Sequence, residues 1–116
     1  GNFARLARVR RGDIVTVAGG VYADKPRPAL VIQDDRFDAT DSVTVCPLTT
    51  TVVDAPLLRV AVPADDGNGL DKDSHLMVDK VTTVRRTNVH TVIGRLEGTT
   101  LVEFERRLLV FLGFGG

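Results

Sequence analysis

Two short segments carry side chains in arrangements that suit chemistry on an anion. The first is Lys25-Pro26-Arg27-Pro28. Prolines on both sides restrict the backbone, so Arg27 is presented from a stiff entry to the apolar run that follows. Its guanidinium is a planar fork that can grip two phosphate oxygens at once. The same side chain can equally form an edge salt bridge to a nearby aspartate, and the sequence does not separate the two. The second segment is Pro47-Leu48-Thr49-Thr50-Thr51. Hydroxyls leaving a strand can donate to a developing negative charge. Consecutive threonines are also ordinary strand and turn residues.

Other candidates read as structural. Cys46 lies in an apolar strand and is expected to be a buried, inert thiol. His75 and His90 read as surface histidines rather than general bases. Asp65-Asp66 and Asp71-Lys72-Asp73 read as solvated carboxylates of a flexible loop. A single cysteine excludes an internal disulfide or a cysteine-based zinc site, and the two histidines lack metal-ligand spacing, so neither metal nor cofactor is expected. Nucleophile-elbow, P-loop and H-E-x-x-H patterns are absent.

The elements that must position these residues are mostly strands. The chain holds 116 residues, enough for one domain with one core. It is rich in Val and Thr, which favour strands, with Gly and Pro between the runs. Extended pieces are expected at 13–17, 28–33, 42–48, 57–62, 75–78, 81–84 and 91–94. Leu101, Phe104, Leu108 and Leu112 recur at helical steps, Thr100 and Glu103 fit a capping box, and Gly113 suits a helix stop, which together predict one helix over 99–112. The fold class is therefore mainly β with a C-terminal α-helix, in a small bent antiparallel barrel. Residues 1–11 read as a basic N-terminal arm and 12–116 as the single domain.

Fifteen basic and fifteen acidic residues cancel, but unevenly along the chain. Residues 1–36 carry seven basic and four acidic side chains, 37–79 two and eight, and 80–116 six and three. If the two basic ends share a face, a polyanion has somewhere to land; otherwise the charges form a mixed solvated surface. No apolar run is long enough for a membrane span and no secretory signal opens the sequence, so a cytoplasmic location is expected.

Taken in order, Arg11-Gly12-Asp13-Ile14-Val15, Lys25 through Gln33, Cys46-Pro47-Leu48-Thr49-Thr50, Leu70 through Val81 and Ile93-Gly94-Arg95-Leu96 resemble the MazF/PemK family of toxin endoribonucleases. The resemblance spans about 100 residues. It implies an SH3-like small β-barrel that forms a homodimer. It implies a toxin of a type II toxin–antitoxin pair that cleaves single-stranded mRNA within a preferred sequence and without metal. The products would be a 2′,3′-cyclic phosphate and a 5′-hydroxyl. By motif position the catalytic Arg falls on Arg27 and the catalytic Thr on Thr49. The family's cognate antitoxin covers the RNA groove with an acidic, disordered tail. The loop before Arg27 is shorter than in many members, and Lys80 stands where Gln is common.

RNA carries its own nucleophile, the 2′-OH, so cleavage needs alignment, charge stabilisation and proton transfer. Arg27 would stabilise the phosphate and Thr49 would donate to it or orient the 2′-OH. A guanidinium stays protonated near neutrality and is a poor general base. Tyr22, Lys25 and Thr50 are candidate RNA contacts, and Asp79 and Lys80 candidate readers of base edges. The competing reading is a CcdB-like gyrase poison of the same fold, to which Phe111-Leu112-Gly113-Phe114 is loosely similar, although the tail Trp is missing. A third is a non-cleaving SH3-like binding module, which an aromatic content of 5% disfavours.

Overall fold

A computed structural model describes residues 8–19 and 25–114. Seven antiparallel strands and one long helix follow in the order β1 (Asp13–Val17), β2 (Arg27–Val31), β3 (Ser42–Thr49), β4 (Arg59–Val62), β5 (Ser74–Met77), β6 (Thr82–Arg85), β7 (Val89–Arg95) and α1 (Gly98–Phe111). Short 3-10 turns occupy Asp35–Phe37, Val78–Lys80 and Arg86–Asn88. The hydrogen-bonded path runs β4-β5-β3-β2-β1-β7, with β6 also paired to β3. The sheet forks at β3, whose first half meets β6 and whose last two residues meet β5. The path remains open between β4 and β7, so the barrel is not fully closed by strand pairing.

Apolar residues cover both faces of the central strands, which explains why β2 reads as a continuous apolar run rather than an alternating one. Ile14, Leu30, Cys46 and Leu48 face α1 and pack with Phe104, Leu76 and Val60. Val15, Val17, Ala29, Val31, Val43 and Val45 form the second cluster with Val84 and Val89. Val9 joins this second cluster, so the chain just before residue 12 already packs with the domain. Phe104 is 1% exposed. Its burial is worth about 3 kcal/mol, which anchors the helix.

The helix begins at Gly98, so Thr100 lies within its first turn. Glu97 is the N-cap and makes no side-chain capping bond, and the expected Thr100–Glu103 capping box is not formed. Glu103 instead pairs with Arg107 one turn on, at 2.8 Å. The expected stop is present. Gly113 has φ +86°, its N–H donates to Val110 O, and Phe114 N–H donates to Leu109 O. This is the Schellman pattern, and only the left-handed residue needs to be glycine.

The Gly/Asp loop between β4 and β5 is tied down rather than loose. Asp65 and Asn68 exchange backbone-to-side-chain hydrogen bonds, and Asn68 Nδ2 donates to Pro63 O at 2.9 Å. The loop lies flat against β7: a Cβ on Gly94 would fall 2.3 Å from the Asn68 carbonyl carbon, and one on Gly69 only 1.9 Å from Ile93 O. No helix among the described residues is long and apolar enough to cross a membrane.

Candidate active site

Arg27 opens β2 and is exposed. The register between β2 and β3 pairs Val31 with Val45, Leu30 with Cys46 and Ala29 with Pro47. That pairing ends two residues short of Arg27, the first residue of β2, and of Thr49, the last residue of β3. The two segments separated in sequence thus meet at one end of the sheet. Arg27 makes no ion pair with any described residue.

Thr49 is half-buried, and its Oγ1 accepts the Thr51 N–H at 3.1 Å. That bond turns the chain at the strand end and fixes the hydroxyl oxygen, leaving its proton available to donate. Thr50 and Lys25 are exposed near this end, and Tyr22 lies outside the described residues.

Asp79 and Lys80 fall in the 3-10 turn after β5. Asp79 Oδ1 accepts from Arg59 Nη1 at 2.6 Å, and Arg59 also donates to Leu58 O. Burial pushes the Asp79 carboxyl up, but the Arg59 hydrogen bond, a backbone N–H and the charges of Arg59 and Lys80 outweigh it and hold it below the usual carboxylate range. One carboxylate oxygen is therefore committed within the protein. Lys80 is exposed, with Nζ 4.0 Å from Asp79 Oδ2.

Cys46 is fully buried and its Sγ donates to Met77 O at 3.3 Å. Burial pushes the thiol up to about 12, which keeps it protonated and unreactive, as expected. His90 is exposed. His75 differs from its sequence reading: it is half-buried on β5 and pairs directly with Thr49. Among the described residues no group of three or more His, Cys, Asp or Glu is placed to hold a metal ion.

The charge blocks do not survive folding as blocks. Arg95 reaches Asp13 at 2.6 Å, Arg11 reaches Glu105, and Arg36 pairs with Asp34 at 3.1 Å. Arg86 is buried and donates to Thr40 O and Ser42 O, binding the β2–β3 connection to the end of β6. Several basic side chains from the two ends of the chain are engaged in such struts.

A small, forked antiparallel β-sheet braced by a C-terminal helix carries an exposed arginine at the start of one strand and a hydroxyl at the end of its neighbour. The family model described as PemK-like, MazF-like toxin of type II toxin-antitoxin system matches residues 10–112. The chain is 56% identical over 109 residues to the probable endoribonuclease MazF of Mycolicibacterium smegmatis, covering 93% of this chain and 100% of the relative. Its fold is similar to Mycobacterium tuberculosis toxin MazF-mt6, with TM-score 0.73 and 25% identity over 86% of this chain and 95% of that one. It is also similar in fold to a mycobacterial endoribonuclease solved with its cognate antitoxin, with TM-score 0.73 and 21% identity over 90% and 93% of the two chains. The chain belongs to the PemK-like, MazF-like toxin family.

Proposed function

We propose that this MazF-family toxin endoribonuclease cuts single-stranded mRNA without a metal ion, through attack of the 2′-OH on the adjacent phosphorus. Arg27 grips the scissile phosphate and stabilises its growing charge. Thr49 donates to a non-bridging oxygen. The P–O5′ bond breaks, giving a 2′,3′-cyclic phosphate and a 5′-hydroxyl. The observation that carries this reading is the exposed Arg27 at the start of β2, without an ion pair among the described residues, at the same end of the sheet as Thr49. Tyr22, Lys25, Thr50, Asp79 and Lys80 are the proposed RNA contacts around them. With one Asp79 oxygen held by Arg59, base recognition at that turn falls to its second oxygen and to Lys80.

The partners follow from the same surface logic. Val102, Leu109, Val110, Phe111 and Phe114 are exposed on or just after α1, and Leu57 beside them is 76% exposed. Exposed apolar side chains of this number favour a covering partner, and a second copy of the chain is the proposed one. The cognate antitoxin is proposed to act through an acidic disordered tail that competes with RNA for Arg27 and its neighbours. An mRNA substrate places the activity in the cytoplasm.

The test is a gel assay on a long single-stranded RNA in excess chelator, with wild type, Arg27→Ala and Thr49→Ala side by side. Discrete bands from wild type alone are expected. No cleavage by wild type on several RNAs contradicts the reading. Growth arrest with DNA damage and intact RNA would instead support gyrase poisoning, and no arrest a binding module.

A further inference from the structure

The turn Val78–Lys80 carries the two residues proposed to meet base edges, and one largely buried arginine governs how it presents them. Thr49 pairs with His75, and His75 pairs with Ala61. Directly opposed residues of antiparallel strands share a face, and so do residues two apart on one strand. Arg59, two residues before Ala61, therefore rises on the Thr49 face of the sheet, two strand spacings of roughly 5 Å away. Leu48, Val60, Val62 and Leu76 pack into the core from the opposite face. Arg59 Nη1 donates to Asp79 Oδ1 at 2.6 Å.

That contact is not needed to place the turn itself. Val78 is fully buried, its N–H donates to Leu58 O at 3.0 Å, and Cys46 Sγ donates to Met77 O at 3.3 Å. These ties already hold the main chain. What Arg59 adds is the direction of one carboxylate. The three charged side chains step outward, Arg59 13% exposed, Asp79 25% and Lys80 57%. Asp79 Oδ2 lies 4.0 Å from Lys80 Nζ, beyond hydrogen-bond distance. An acceptor and a donor thus stand side by side, with the acceptor aimed from beneath. An ionised carboxylate can only accept, so it suits the amino group of adenine or cytosine. Uracil presents a carbonyl oxygen at that place on its edge, which an anion repels.

We propose that Arg59 is a positioning residue for sequence selection: it turns the Asp79 carboxylate so that Oδ2, with Lys80 beside it, selects adenine or cytosine over uracil at one position near the cut. This rests on the ribonuclease reading given above, with Asp79 and Lys80 as RNA contacts. Arg59 acts through Asp79 and does not touch the RNA. Its Nη1 also donates to Leu58 O at 2.9 Å, which fixes the plane of the guanidinium and with it the direction of the Asp79 bond.

The experiment maps the cut sites of the purified protein on a long RNA of varied sequence, then measures kcat and KM on short RNAs that differ at one position. Wild type, Arg59→Met, Arg59→Lys and Asp79→Asn are compared. At one position wild type should favour adenine or cytosine over uracil by about 5- to 100-fold in kcat/KM. Arg59→Met and Asp79→Asn should each bring that ratio to within about threefold of unity, through KM rather than kcat, and leave the other positions as they were. Arg59→Lys should fall between wild type and Arg59→Met. The double variant Arg59→Met/Asp79→Asn should be no less selective than either single one, because the two residues act through one contact. A purely structural Arg59 would change stability without moving the preference at one position. Thermal melts report whether each variant is folded. A folded Arg59→Met with the wild-type preference at every position overturns the proposal and leaves the ribonuclease reading intact. If Arg59→Met does not fold, an Arg59→Lys with unchanged preferences has the same consequence, as does an Asp79→Asn with unchanged preferences. A wild type that cuts no RNA overturns both.

Discussion

Arg27 and Arg59 hold the same position in their elements, the first residue of β2 and of β4, and meet opposite fates. Arg27 is exposed and makes no ion pair with a described residue. The Arg59 side chain is 13% exposed and holds Asp79 at 2.6 Å. Its Nε is enclosed without a hydrogen-bond partner among the described residues, a cost that the Asp79 contact must offset. An arginine whose charge is matched inside the protein fixes structure. One whose fork is exposed at the end of the sheet that also carries the Thr49 hydroxyl is available to a ligand. The difference lies in the neighbours across the sheet rather than in the residue or its place in the strand.

The largest effect expected from this contrast is catalytic. Arg27→Ala should lower kcat about 10²- to 10³-fold or more, the range for removing one transition-state donor, while changing stability by less than about 0.5 kcal/mol. Arg27→Lys should recover little, because an ammonium cannot fork across two oxygens. Single-turnover cleavage rates and denaturant melts measure the two quantities separately. A variant that loses stability instead would move Arg27 into the class of Arg59.

Arg59→Ala should show the reverse pattern. It removes a largely buried charged hydrogen bond and leaves Asp79 without its cation, so a loss of about 2 kcal/mol in unfolding free energy is expected. Urea melts give the number, and the rate per folded molecule should stay near wild type when measured well below the melting transition. A large rate loss without unfolding would show that Arg59 also meets the RNA.

A smaller effect sharpens the same pair. The Asp79 carboxyl lies below its ordinary range in the folded protein, so its contribution to stability is present above about pH 4 and is lost as pH falls through the lowered folded value. Melts of wild type and Asp79→Asn should therefore differ most near neutrality and converge in acid. A gap that widens as pH falls would contradict the assignment. The smallest effect concerns the inert middle of β3. The thiol of Cys46, pushed up to about 12, should resist alkylation at pH 8 until the protein unfolds. Rapid labelling of native protein would show that β3 opens locally.

Much of the fold was legible because local pattern and tertiary role agree. The continuous apolar run after Pro28 is buried on both faces, and the Leu101, Phe104, Leu108 spacing faces the core. Leu112 fits that spacing yet is exposed, because the helix ends at Phe111 and Leu112 forms its cap. The capping box misled for a related reason: the helix starts two residues before Thr100, and a motif match does not fix the frame.

The site was legible in parts but not as an assembly. Arg27 stood out through its flanking prolines and Thr49 through its strand end. That they lie at the same end of the sheet depends on the antiparallel pairing of β2 with β3, which no local signal encodes. His75 was read as a surface residue because the alternation in Ser74-His75-Leu76-Met77 gives two faces without saying which strand lies alongside. Arg59 drew no notice because its partner lies twenty residues away. Pairs such as Arg95–Asp13 and Arg11–Glu105 join opposite ends of the chain, which a count of charges along the sequence does not show.

The most direct test of the account is an RNA carrying a single 2′-deoxynucleotide at a mapped cleavage site. The account predicts that this site is no longer cut, while other sites in the same molecule are cut at their usual rate with cyclic-phosphate ends. Cleavage that continues at the deoxy position would contradict attack by the 2′-OH, and with it the roles given to Arg27 and Thr49.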